Sequence, residues 1–218
     1  MEIILIGAQG SGKGTQSEML AQALGVPHIA SGDLFRKEIE EGTEVGLEAR
    51  KYIDRGNLVP DDLTVAMILS RLRQPDCQPG VLMDGFPRTI AQAQALDEGL
   101  REFGKQINVV VYLHVPREEL LQRLSGRYIC KANQHVYNIY SRPPKVAGVC
   151  DLDGSELYQR SDDVGDAVQR RLDIFFNQTI HLLDYYGEQG KVVKVDGNQG
   201  IQEVHQALVN AIRKQMNS

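Results

Sequence analysis

Three cysteines in 218 residues, Cys77, Cys130 and Cys150, are too few for the disulfide framework of a secreted protein. No apolar run approaches the roughly 20 residues that a membrane-spanning helix needs. The opening MEIILIG has an acid at position 2 and an apolar stretch too short for a signal peptide, which predicts a cytoplasmic protein. Basic charge is not in surplus: 24 Lys+Arg stand against 29 Asp+Glu, a net charge of -5. That argues against a broad nucleic-acid or anionic-membrane surface but leaves room for a local cationic cleft. Glycine (21) and proline (8) are near average and no repeat or low-complexity segment occurs, so the chain is neither collagen-like nor linker-rich. With 42 % hydrophobic residues it can bury a core without staples, and disorder is excluded as its main state.

What the chain does have is alternation. Short Val/Ile/Leu-rich runs at 2–7, 28–31, 81–84, 108–115 and 191–196 read as strands buried on both faces. Helical patterns lie between them, for example 13–24 with Met19, Leu20, Ala23 and Leu24 on one face. Another, 116–124, has Pro116 at a plausible first helical position and Glu118 and Glu119 in the first turn. The alternation predicts an α/β fold built on a mostly parallel sheet. Two stretches depart from it. Residues 33–58 are helical in pattern with no strand of their own. Residues 126–163 are rich in tyrosine, proline and glycine, with turns at Asn133–Gln134 and Asp153–Gly154, and read as a small β-rich insertion.

The strongest chemical signal is Gly7-Ala8-Gln9-Gly10-Ser11-Gly12-Lys13-Gly14-Thr15, between a candidate strand and a candidate helix. Glycines let successive N–H groups curl around an anion, the helix start adds its dipole, and Lys13 supplies a mobile positive charge. Nucleoside triphosphate binding is the expectation, although Gly14 stands where the general pattern has Ser or Thr and Thr15 follows it. A second string, Val81 to Arg88 with Gln92 a turn further on, ends a strand in Asp84 and carries Arg88 to the sheet edge where ligands bind. Asp84 suits a magnesium shell and Arg88 a bidentate phosphate grip. Arg123 and Arg127 are four apart and would share a face if their helix continues. With Arg160 and Arg171, these arginines flank the insertion.

GAQGSGKGT, SGDLFR at 31–36, DGFPR with Gln92, and RLSGR through QRSDD, in this order over essentially the whole chain, resemble the adenylate kinase family in its bacterial long-lid form. The resemblance implies a P-loop NTPase-like α/β core with a five-stranded parallel sheet flanked by helices, spanning 1–29, 60–125 and 164–218. It adds a helical NMP-binding excursion at 30–59 and a β-rich lid at 126–163. By the same resemblance, Gly10, Ser11, Gly12, Lys13, Gly14 and Thr15 hold the ATP phosphates, Arg127, Val136 and Tyr137 lie over ATP, and Gln199 lies near its adenine. Ser31, Arg36, Asn57, Leu58, Val59, Gly85, Phe86, Pro87, Arg88 and Gln92 match AMP-binding positions. Arg123, Arg160 and Arg171 match arginines around the transferred phosphoryl group, and Arg160 and Arg171 also serve the AMP side. Ser31 stands where threonine is usual and Gln9 where proline is usual.

The implied reaction is ATP + AMP ⇌ 2 ADP, with magnesium (Mg2+) accompanying ATP. The acceptor is an anionic phosphate oxygen, so no general base is needed, and the sequence offers no HRD-type base, HExxH or nucleophile–His pair. What the chemistry needs is charge neutralisation, alignment and exclusion of water. Lys13, Arg36, Arg88, Arg123, Arg127, Arg160, Arg171 and Mg2+ supply the positive charge, and Asp84 suits the magnesium shell. The two excursions would close over the substrates, with Gly32, Gly56 and Gly126 as candidate hinges. A monomer with ATP, AMP and ADP as its partners, and no nucleic acid or membrane, is expected. The alternatives are a kinase acting on UMP or CMP, against which Val59, Gln92 and the long insertion speak, and a nucleotide sensor, which should lack part of the charged set.

Cys130-x2-Asn133 and Cys150-x2-Asp153 resemble the four-ligand knuckle that some members use for structural zinc (Zn2+). Cys130, Cys150 and Asp153 are competent ligands, whereas a neutral Asn133 amide is poor. The five histidines show no metal or catalytic spacing, and His135 could substitute only if the turn is rebuilt. The alternative is a lid held by hydrogen bonds alone.

Overall fold

The computed structural model describes residues 1–163 and 165–216. The core boundary expected at residue 164 and the chain end at 217–218 lie outside the described residues. Five strands form one parallel sheet: β1 (Glu2–Ile6), β2 (His28–Ala30), β3 (Val81–Asp84), β4 (Ile107–His114) and, late in the chain, β8 (Val192–Asp196). Their order is β2-β3-β1-β4-β8. Chain direction across the sheet reverses at β1, which pairs with β3 on one side (Ile4 opposite Met83) and β4 on the other (Ile4 opposite Val110). In such a sheet the crevice beyond the strand C-termini at the reversal is where ligands bind.

The side-chain period of two explains the continuous apolar runs. Ile4, Ile6, Met83, Val110 and Tyr112 enter one core, and Ile3, Leu5, Leu82, Val109, Val111 and Leu113 enter the other. The second core is closed by α1 (Lys13–Leu24) and α9 (Ile201–Met216) through Leu20, Val204, Leu208 and Ile212. The first is closed by α4 (Asp61–Leu72), α5 (Ile90–Glu102), α6 (Arg117–Ser125), α7 (Asp166–Asn177) and α8 (Leu182–Gly187). Each such fully buried aliphatic side chain contributes about 1.5–3 kcal/mol. Among the described residues no helix is long and apolar enough to cross a membrane.

Small boundary differences have local causes. Ser31 opens a helix instead of closing β2, because its hydroxyl turns inward to the Gly85 carbonyl at 2.7 Å. Pro116 caps α6 from outside, in extended backbone, and Arg117 is the first helical residue. α6 stops at Ser125 and β5 (Arg127–Cys130) starts at once, so Arg123 and Arg127 do not share a helical face.

Residues 33–58 form α2 (Ser31–Glu41) and α3 (Glu44–Ile53), packed closely enough that a Cβ on Gly46 would lie 2.1 Å from the Glu38 carbonyl oxygen. Phe35, Ala49 and Val59 make their small core. Residues 126–163 carry an antiparallel sheet, β6-β5-β7, from β5, β6 (Val136–Asn138) and β7 (Leu157–Tyr158). Its core holds only Cys130, Tyr137, Cys150 and Leu157, too little apolar burial to hold a module of this size by itself.

Candidate active site

The loop after β1 needs left-handed backbone at Gly10 (φ 83°) and Gly12 (φ 93°), and Gly12 also caps α1. A Cβ at Gly10 would come within 3.0 Å of Leu124, so the loop lies against α6. Gly12 and Gly14 are exposed with nothing near their Cβ positions, leaving their backbone open to a ligand. Lys13 Nζ folds back and donates to the carbonyls of Gly7 (2.5 Å) and Ala8 (3.0 Å). Burial, with help from nearby arginines and against the pull of Asp84, pushes its pKa down to about 8. The Ser11 hydroxyl is buried without a hydrogen-bond partner among the described residues.

Asp84 ends β3 beside this loop, 3.4 Å from the Ser17 hydroxyl and 3.7 Å from His28 Nε2. Burial disfavours its charge, but His28, Lys13 and Arg88 outweigh that and hold its pKa below the usual carboxylate range. His28 is raised in return: burial opposes its protonation and Asp84 prevails.

One cleft opens beyond the end of β3 and another beside the loop. The larger encloses about 580 Å³ of space that is partly open to solvent. Ser31, Arg36, Asn57, Leu58, Val59, Gly85, Arg88 and Gln92 all line it, as do Phe35, Thr64 and Asp162, to which the sequence reading gave no role. Phe86 and Pro87 do not line it; they are buried beneath. Arg88 Nε donates to the Gly85 carbonyl at 2.7 Å, and burial lowers its pKa against the attraction of Asp84 and Asp162. Arg36 pairs with Asp33. The smaller cleft, about 310 Å³, is lined by Ser11, Gly12, Thr15, Arg123 and Gln199.

A charged cluster forms one wall of the larger cleft, which Asp162 and Arg171 line. Arg171 Nη1 lies 2.9 Å from Asp162 Oδ2 and 2.8 Å from Asp163 Oδ1. Arg127 makes a two-pronged contact with Asp163, its Nε donating at 2.7 Å. Burial, then repulsion from Arg36 and Arg127, pushes the Arg160 pKa down to about 10, and its Nε has no partner among the described residues. Arg123 stands apart, donating to the Gly197 carbonyl (3.3 Å) and to Asn198 (2.8 Å) at the rim of the smaller cleft. The helix end at Ser125 is the reason. It sends Arg127, rather than Arg123, to the acidic pair.

The family model for adenylate kinase matches residues 5–191. Proteins named adenylate kinase from Carboxydothermus hydrogenoformans and Bacillus subtilis are 46 % and 48 % identical to this chain. The first alignment covers 98 % of this chain and 100 % of its relative, the second 94 % of each. One from Streptomyces avermitilis is 47 % identical over 99 % of this chain and 98 % of its own length. The chain belongs to the adenylate kinase family. It is thus a nucleotide-binding phosphotransferase, and membership implies reversible phosphoryl transfer from ATP to AMP giving two ADP.

In the lid, Val136 is 37 % exposed, while Tyr137 turns into the small core. The Tyr137 hydroxyl accepts from the Asp151 backbone N–H at 2.8 Å and lies 3.4 Å from Cys150 Sγ. Cys130, His135, Cys150 and Asp153 each offer a donor atom, all within 4.8 Å of one another. The fourth member is therefore His135, not the residue at the Asn133 spacing. Gln134 takes left-handed backbone (φ 58°), which rebuilds the turn and brings His135 Nδ1 to 3.3 Å from both Cys150 Sγ and Asp153. Asn133 instead donates to Asp153 Oδ2 at 2.8 Å. That bond, with the Ser155 N–H, holds the Asp153 carboxyl well below the usual range. Burial opposes ionisation of Cys150, yet hydrogen bonds from Tyr137, the Leu152 backbone and His135 lower its pKa. Cys77 lies outside the sites, buried with Arg71 Nη1 at 2.9 Å.

Proposed function

We propose that the chain binds AMP in the larger cleft and magnesium-bound ATP across the loop and the smaller cleft, and transfers the γ-phosphoryl group in line between them. The observation that carries this is a cleft lined by Arg36, Arg88, Gln92 and Arg171 together with a second lined by Ser11, Gly12 and Thr15 of the loop, with Lys13 near enough to Arg88 and Arg171 to feel the charge of both. Arg36 and Arg88 grip the AMP phosphate, and Gln92, Val59 and Thr64 meet the base. Backbone N–H groups of Gly12 to Thr15 hold the ATP phosphates, and Gln199 and Arg123 attend its nucleoside end. Val136 extends the lid's cover over ATP.

The AMP phosphate oxygen attacks as an anion, so the chain moves no proton. Lys13 leaves the Gly7 and Ala8 carbonyls for the outer phosphates, exchanging two neutral acceptors for an anion. Arg127, Arg160 and Arg171 neutralise charge spreading over the transferred group. Asp162 and Asp163 hold the Arg127 and Arg171 guanidinium planes in place beforehand. Asp84, buried and ionised, fits a magnesium ion through its water shell, with Thr15 nearby. Bound there, magnesium supplies neutralisation of phosphate charge. Closure of the lid and the NMP excursion excludes water, which would otherwise compete as acceptor.

The lid donors support structural zinc. Bonds of about 2.0–2.3 Å in a tetrahedron put ligand atoms roughly 3.3–3.8 Å apart, close to the separations among Cys130, His135, Cys150 and Asp153. The protein works as a monomer in the cytoplasm, where its free thiols remain reduced. The test is a coupled assay of ADP formation from ATP with AMP, UMP, CMP or GMP, with and without magnesium. AMP should be preferred and magnesium required; equal turnover of UMP or CMP would overturn the acceptor assignment.

A further inference from the structure

The Gln92 amide is not free to turn. Its Oε1 accepts from the Arg88 backbone N–H at 2.7 Å, and its Nε2 donates to Asp61 Oδ1 at 2.7 Å. Asp61 is held in turn by the Thr89 hydroxyl, which donates to Oδ2 at 2.9 Å. Thr89 caps α5, accepting from the Gln92 backbone N–H at 3.1 Å. Gln92 is only 2 % exposed and what remains open of it faces the larger cleft.

An amide has two donor hydrogens and two acceptor lone pairs, and these contacts use one of each. One hydrogen and one lone pair remain for a ligand. A backbone N–H can only donate and a carboxylate can only accept. Turning the amide over would set N–H against N–H at Arg88 and oxygen against oxygen at Asp61. The two partners come from different elements, Asp61 from the start of α4 and Arg88 from the turn after β3, so the lock is tertiary.

We propose that Asp61 is a specificity-determining positioning residue: it fixes which side of Gln92 donates and thereby makes the cleft accept adenine and reject 6-oxopurines. This rests on the AMP reading above. Adenine presents an amino donor beside a ring-nitrogen acceptor. Hypoxanthine inverts both, with a carbonyl acceptor beside a ring N–H. A glutamine free to flip would match either pattern. With the phosphate gripped by Arg36 and Arg88 the base cannot reorient, and a locked amide meets a 6-oxopurine with like groups facing like in a buried site.

The test compares AMP with IMP, which differ only in that inversion, as acceptors for the full chain with magnesium-ATP. Asp61→Asn keeps the shape, but its amide can meet either end of Gln92, so the Arg88 backbone N–H alone then opposes the flip. The ratio of kcat/KM for AMP over IMP should fall several-fold, chiefly through the two KM values. Asp61→Ser, whose hydroxyl also donates and suits a helix start, carries the same test if the first variant folds poorly. A parallel loss for both nucleotides, with the ratio unchanged, would show Asp61 to be merely structural and overturn the proposal. No ADP from AMP with the unmodified chain would overturn the acceptor reading itself, and the lock with it.

Discussion

The Ser161 hydroxyl donates to the Asp54 carboxylate at 2.9 Å, across 107 residues of chain, tying the end of the 126–163 insertion to the segment after α3. Just beyond, Gly56 (φ 71°) lies so close under Ala167 that a Cβ would meet its carbonyl oxygen at 2.7 Å. Residues 33–58 thus touch both the 126–163 insertion and the start of α7. An exposed hydrogen bond of this kind contributes about 0.5–1.5 kcal/mol net, enough to shift a two-state population several-fold. Ser161→Ala should move the unliganded protein toward open forms, read as a longer mean distance between fluorescent labels at positions 41 and 145. An unchanged distance distribution would make this bond incidental to closure.

Lys13 predicts a pH dependence. Its folded pKa of about 8 is below the ordinary lysine value of 10.5, so between those values the unfolded chain holds more protons than the folded one. This group's contribution to unliganded stability therefore rises with pH across that window. Binding of anionic ATP restores the charge and raises the pKa, so binding takes up a proton above pH 8. ATP affinity should then fall by about fivefold from pH 8 to pH 9. Calorimetry at pH 8.5 in buffers of different ionisation heat measures the uptake. Lys13→Met should abolish it and lower turnover by roughly 3–4 kcal/mol of transition-state stabilisation.

Arg88 gives a prediction about sides. It lines the larger cleft, and its Nε is held by the Gly85 carbonyl. Arg88→Ala should weaken AMP by about 1.5–3 kcal/mol, the range for a hydrogen bond to a charged group, while ATP binding changes little. Equal losses for the two nucleotides in direct binding measurements would contradict this placement.

Much of the fold was legible because β1 and β4 are buried on both faces and so read as unbroken apolar runs. The loop from Gly7 to Thr15 was legible because its glycines answer a local backbone demand. What escaped was set by tertiary geometry. Asp61 and Gln92 are 31 residues apart and no local pattern joins them. Arg123 and Arg127 have helical spacing, but the helix stops at Ser125 between them. Asp162 and Asp163 carry no sequence signal for a role, because only the folded chain shows them beside Arg171 and Arg127. His135 was discounted by spacing, since its place depends on the left-handed turn at Gln134.

That turn leads to the prediction about metal. The lid core has four buried residues, and two of them are the thiols of Cys130 and Cys150. Cys130 Sγ lies 3.1 Å from Asp153 Oδ2, His135 Nδ1 lies 3.3 Å from Cys150 Sγ, and all four donor atoms lie within 4.8 Å of one another. A cation there would join the β5–β6 turn to the segment before β7, supplying the cohesion that so small an apolar core lacks. Protein purified without chelator should contain close to one zinc per chain. His135→Ala should lose most of it, whereas Asn133→Ala, which removes only a hydrogen bond to a ligand, should keep it with affinity reduced about 10- to 100-fold. Removing zinc should lower the melting temperature but leave low-temperature activity largely intact, since Lys13, Arg88 and Arg171 lie outside this cluster. A zinc content far below one per chain would instead mean that Asn133, Asp153 and the thiols hold the lid by hydrogen bonds alone. His135→Ala would then change its stability little.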